Sequence, residues 1–163
     1  MRSRNIPLLS IGQAIGSSGI SLMALVGGIV GARLAPAPTL ATLPITIQVV
    51  GIALSTVPAS LLMRRVGRRA GFVFGALGAV VAALIAAYAV WAGSFVLFCC
   101  ATLLTGMNGA FVQQYRFAAT ESVEPHFAGR AVSFVLVGGI LAGFIGPEVG
   151  RRLKDWFAVE YVG

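Results

Sequence analysis

Ser10, Gln13, Ser17 and Ser21 stand three, four and four residues apart in a stretch that is otherwise almost wholly apolar or glycine. At that spacing they share one face of a helix. Amides and hydroxyls of this kind do hydrogen-bond chemistry, holding a solute or a neighbouring helix; they carry no charge at neutral pH. A second stripe, Thr102, Thr105, Gly109 and Gln113 with Asn108 beside it, has the same character, and Gln48 is a third, isolated amide. A polar stripe is costly against lipid unless it meets another helix or a water-filled cavity. Gln13, Ser17, Gln48 and Asn108 are therefore expected to face a shared substrate path. The competing use is bonding across helix contacts, at about 0.6 kcal/mol per bond.

The remaining reactive types form no catalytic set. Cys99 and Cys100 are adjacent and lack the second ligand pair that zinc or a redox Cys-x-x-Cys would need, and His126 is the only histidine. No glycine loop ending in Lys-Ser or Lys-Thr is present for a nucleotide. The expectation is no enzyme, no metal and no cofactor. Glu148 has Arg152 four residues on, the favourable order for a helical ion pair, and reads either as a rim pair or as a coupling group.

The elements that must carry these groups are membrane helices. Of the 163 residues 58% are hydrophobic and only 10% charged, and the mean hydropathy is +0.92. Ordinary soluble domains carry about 25% charged residues. The net charge of +7 does not mark a nucleic-acid partner, because the cations sit at the ends of apolar runs rather than on one wetted face. About 20 apolar residues cross the hydrocarbon as a helix, and five such spans read at about 8–32, 39–63, 70–91, 94–114 and 131–150. The runs are too long and continuous for barrel strands of roughly 10 residues. The first is also longer than a signal-peptide core, so it reads as a retained helix.

Counting Lys and Arg near the spans orients the chain, since positive charge resists translocation. With the amino terminus inside, eight (Arg2, Arg4, Arg64, Arg65, Arg68, Arg69, Arg116, Arg130) lie on the cytoplasmic side and four (Arg33, Arg151, Arg152, Lys154) outside. The expectation is a multi-pass protein of the cell's cytoplasmic membrane, with its amino terminus in the cytoplasm and "LLMRRVGRR" as a tight inner loop.

That loop resembles the one between the second and third helices of the major facilitator superfamily, roughly Gly-x-Leu-Ala-Asp-Arg-x-Gly-Arg-Arg. Leu62, Arg65, Gly67, Arg68 and Arg69 match, while Ser60 replaces the first Gly and Arg64 the Asp. In the family that Asp helps to latch the cytoplasmic gate, so a latch here needs other partners, such as Glu121 or Glu124. The fifth span, "GGILAGFIGPEVG", resembles the Gly-Pro motif of the superfamily's antiporters through Gly139, Gly143, Gly146 and Pro147, with Ala142 and Ser133 at two of its glycine positions. In the fourth span, Thr102 stands where the family carries a membrane-embedded Arg.

The resemblance implies an all-α fold like the amino-terminal six-helix bundle of that superfamily, cut short, with 151–163 leading into a sixth helix. It implies secondary active transport of a small solute by alternating access, partnered by the lipid bilayer and by a carboxy-terminal half or a second subunit. A five-span accessory or assembly protein without transport is the alternative. No charge lies deep in any span, which favours a neutral or amphipathic solute.

Overall fold

The computed structural model describes residues 5–121 and 123–153; Arg2, Arg4, Lys154 and most of the expected lead-in to a sixth helix lie outside them. Five helices follow one another up and down: α1 (Asn5–Leu34), α2 (Leu43–Val66), α3 (Arg68–Trp91), α4 (Phe95–Glu121) and α5 (Ala128–Leu153). Each is long and apolar enough to cross a membrane, and no strand occurs among the described residues. Helices satisfy every backbone group internally, which lipid cannot do.

The turns are set by residues that free or fix the backbone. Pro44 sits in the first turn of α2, where a missing N–H costs nothing. Gly67 alone separates α2 from α3, at φ +88°, a conformation that favours glycine. The arginine run is thus less a loop than two helix ends: Arg64 and Arg65 close α2, and Arg68 and Arg69 open α3. Cations suit a helix carboxy terminus and oppose an amino terminus, so the second pair stands at the less favourable position.

The second span starts at Pro38, as expected, with residues 38–40 in a short 3-10 turn that leads into α2. One further boundary differs from the sequence reading. The segment after Gln114, outside the expected spans, continues α4 to Glu121, and α5 begins at Ala128 rather than 131. Ala118 and Ala119 are buried there, and Ala119 joins Ala131 and Val135 of α5, with Leu9 and Tyr115 packed against them.

α4 is the hub, packing on each of the other four helices, while the most extensive pairings are α1 with α5 and α2 with α4. Small residues make these approaches close, since membrane helices associate by backbone proximity rather than by a hydrophobic drive. At the α2–α4 crossing, a Cβ on Gly106 would overlap the Gln48 carbonyl oxygen, and one on Gly51 would lie 2.7 Å from that of Leu103. At the α1–α5 crossing, Gly138 faces the Ser10 carbonyl, Gly146 that of Ser18, and Gly150 the Leu22 side chain.

Candidate functional site

The polar face of α1 forms a small network against α5. Gln13 is 3% exposed and its Nε2 donates to Ser17 Oγ at 3.0 Å. A Cβ on Gly139 would lie 3.5 Å from that Nε2 and 3.9 Å from Ser17 Oγ, so the missing side chain at 139 makes the room both groups occupy. Gln13 Oε1 and Ser10 Oγ are buried and find no hydrogen-bond partner among the described residues. Buried polar atoms without partners cost about 1–3 kcal/mol each, so these two are the least satisfied polar groups of the α1–α5 contact. Gln48, also 3% exposed, donates from Nε2 to the Ile20 carbonyl at 3.2 Å and so ties α2 to α1 one helical stretch beyond Ser17.

Asn108 is not brought to this face. It borders a cavity of about 550 Å³ between α1, α3 and α4, next to Gly75, whose added Cβ would meet Asn108 Oδ1 at 3.3 Å. α1 turns Gly12, Gly16 and Gly19 toward that cavity and Gln13 and Ser17 toward α5. Thr105 shares the wall with Asn108, and its Oγ1 donates to the Ala101 carbonyl; Thr102, fully buried, bonds to the Cys99 carbonyl. Tyr115 stacks on Phe72 with ring centroids 4.1 Å apart, and the pair closes the arginine-rich end of the cavity. Glycine at position 12 admits the Tyr115 ring, since a Cβ there would lie 2.8 Å from it.

At the arginine-rich end, Arg68 reaches across to Glu121 at the end of α4. Its Nε donates to Oε2 at 2.6 Å and a terminal nitrogen to Oε1, a two-pronged grip. Glu121 thereby offsets one of the two cations at the start of α3. Glu124 faces His126 instead, 3.6 Å away. The Arg68–Glu121 pair is partly exposed on both sides, and such pairs contribute about 1 kcal/mol or less. Glu121→Gln is expected to lower the unfolding free energy in detergent by no more than that, and the exchange Arg68→Glu with Glu121→Arg to recover most of it. A double exchange no more stable than the sum of its single variants would show that the grip has no energetic weight.

At the opposite end, Glu148 pairs with Arg151 and, at 2.8 Å, with Arg152. The glycines of α5 divide by role. Gly146 seats α1 and Gly139 makes room for Gln13, whereas a Cβ on Gly143 would meet open space. The series that carries the α1 contact is Gly138, Ala142, Gly146 and Gly150, with Ala142 fully buried. Sequence reading passed over Gly138 because it stands next to Gly139; the four-residue step to Ala142, Gly146 and Gly150 was the available signal. Pro147, within α5, has no N–H to give to the Gly143 carbonyl, leaving a bend site there.

Known proteins of similar sequence are named as transporters. Over 152 residues, 93% of this chain and 38% of the relative, the chain is 43% identical to the riboflavin transporter RfnT of Brucella anthropi. Nearly the whole chain is also similar to proteins named as transporters of the major facilitator superfamily. Two MFS-type transporters of Bacillus subtilis, YdeG and YddS, are 28% and 26% identical over 94% of the chain, which spans 36% and 35% of their lengths. The chain thus corresponds to somewhat more than a third of each relative it matches, consistent with the amino-terminal half of the fold. No protein-family model and no solved structure matches it.

Proposed function

We propose that the chain is the amino-terminal bundle of a secondary transporter that moves a neutral, planar, hydrogen-bonding solute of the flavin type by alternating access. The observation that carries this reading is the 43% identity to a riboflavin transporter. The site chemistry supports it. Well inside the spans the polar groups are uncharged, and the α1 face offers an amide with a free acceptor and two hydroxyls. Riboflavin presents an imide edge and a chain of hydroxyls, which amides and hydroxyls recognise without a buried charge.

In this reading Gln13 and Ser17 contact the solute, Gln48 holds α1 against α2 so that the face keeps its aim, and Arg68 with Glu121 braces the cytoplasmic ends of α3 and α4. The amino terminus lies in the cytoplasm, following the eight-to-four arginine and lysine asymmetry. The relatives are much longer, and the 550 Å³ groove floored by Gly12, Gly16 and Gly19 receives one of the further helices. Asn108 then bonds that helix rather than the solute.

The test is uptake of radiolabelled riboflavin by riboflavin-auxotrophic cells expressing the full gene product. Saturable uptake that unlabelled riboflavin suppresses and that stops when the ion gradients are collapsed is the expected result. Growth and uptake no better than with empty vector, at normal membrane levels of the protein, would remove the flavin assignment.

A further inference from the structure

A second cavity, of about 730 Å³, opens between the ends of α2 and α4 on the arginine-rich side. Its chemistry is graded along its length. Arg64 and the Arg68–Glu121 pair stand at the helix ends, Ser60 and Gln114 lie further in, and Val57 and Phe117 supply apolar wall. Gln114 is 6% exposed and borders the cavity, so its side-chain amide is available to a guest there. Ser60 donates to the Val57 carbonyl, so its hydroxyl proton is already used.

The charge at the mouth is uncompensated. Arg68 is held by Glu121, but Arg64, Arg65 and Arg69 make no ion pair with a described carboxylate, and all three are exposed. Arg64 differs from its two neighbours because it lines the cavity. The aromatic and aliphatic wall next to it suits hydrocarbon, and the Gln114 amide suits an ester carbonyl. Arginine pairs with phosphate through parallel N–H bonds, and basic clusters at a helix end draw anionic lipid.

From this gradient we infer that the α2–α4 cavity is a site for one anionic phospholipid: the phosphate sits at Arg64, an ester carbonyl accepts from the Gln114 amide, and an acyl chain runs along Val57 and Phe117. Arg64 turns this end of α2 toward an anion, and a bound lipid there braces α2 against α4 beside the Arg68–Glu121 grip.

Native mass spectrometry of the full gene product, titrated with phosphatidylglycerol or phosphatidylethanolamine, tests the inference. One phosphatidylglycerol is expected to remain bound at concentrations where phosphatidylethanolamine does not. Arg64→Ala is expected to weaken that binding about fivefold, and Gln114→Met, which keeps the side-chain volume, to weaken it about threefold. Arg65→Ala removes the same charge outside the cavity and serves as the control. Equal losses from Arg64→Ala and Arg65→Ala would mean a diffuse basic belt and overturn the site. Displacement by millimolar glycerol 3-phosphate would mean a free-phosphate site and overturn the lipid assignment. Should the variants fail to fold, a photoactivatable phosphatidylglycerol on the unmodified protein decides: crosslinks to 56–64 and 114–121 support the site, and crosslinks elsewhere overturn it.

Discussion

Gly106→Val is expected to leave almost no folded protein in the membrane. A Cβ at this position overlaps the Gln48 carbonyl oxygen and reaches within 3.1 Å of the Gly51 Cα, so the obstacle is backbone on both counts. No side-chain rotation relieves it; α2 and α4 must separate. Their contact is one of the two most extensive in the bundle, and Gln48, which ties α2 to α1, lies beside it. Overpacking a well-fitted contact costs about 1–3 kcal/mol where neighbours can yield, and the upper end or more is expected where they cannot. Gly143→Ala is the control, because a Cβ there meets open space. Detergent-solubilised, fluorescence-detected chromatography separates the two: the valine variant should elute as aggregate and the alanine variant as the parent does. A monodisperse Gly106→Val protein at parental yield would show that the α2–α4 approach is looser than described.

The second large effect is functional. Gln13→Ala is expected to cut riboflavin uptake at limiting substrate about tenfold while the protein still inserts and folds. The amide is nearly buried, its Nε2 is held by Ser17, and its Oε1 is left without a partner. Removing it discards a preorganised acceptor, and a hydrogen bond of that kind is worth about 1 kcal/mol or somewhat more. Its removal also deletes an unsatisfied atom, so stability should hold or rise. That opposition separates a solute contact from a packing role: a structural residue loses stability and uptake together. Gln13→Ala with unchanged uptake would take this residue out of the path.

The five spans were legible because lipid tolerates so few other patterns, and 10% charge leaves little room for another reading. Helix ends were harder. Past Gln114 the sequence mixes polar and apolar residues, yet Ala118 and Ala119 are buried and α4 stays helical to Glu121. The partner of the arginine run was within reach of sequence reasoning, since Glu121 is one of the two acids between the fourth and fifth expected spans, but only the fold brings the first turn of α3 to the last turn of α4. Asn108 shows the limit of a stripe argument. Its spacing puts it near Thr105, yet a central helix with neighbours on every side has no single inward face, and Asn108 turns to α3. The glycines of α5 show the same limit: a motif names the stretch, but the register against α1 decides that Gly138, Gly146 and Gly150 make the contact.

The most direct test of transport through the α1 face is two-sided accessibility of residue 17. Ser17→Cys, in a full gene product with Cys99 and Cys100 replaced by alanine, is treated with a membrane-impermeant thiol reagent on right-side-out and on inverted vesicles. Alternating access predicts labelling from both sides, with riboflavin slowing the reaction on each. Labelling from one side alone, unaffected by riboflavin, would contradict a path that passes Gln13 and Ser17.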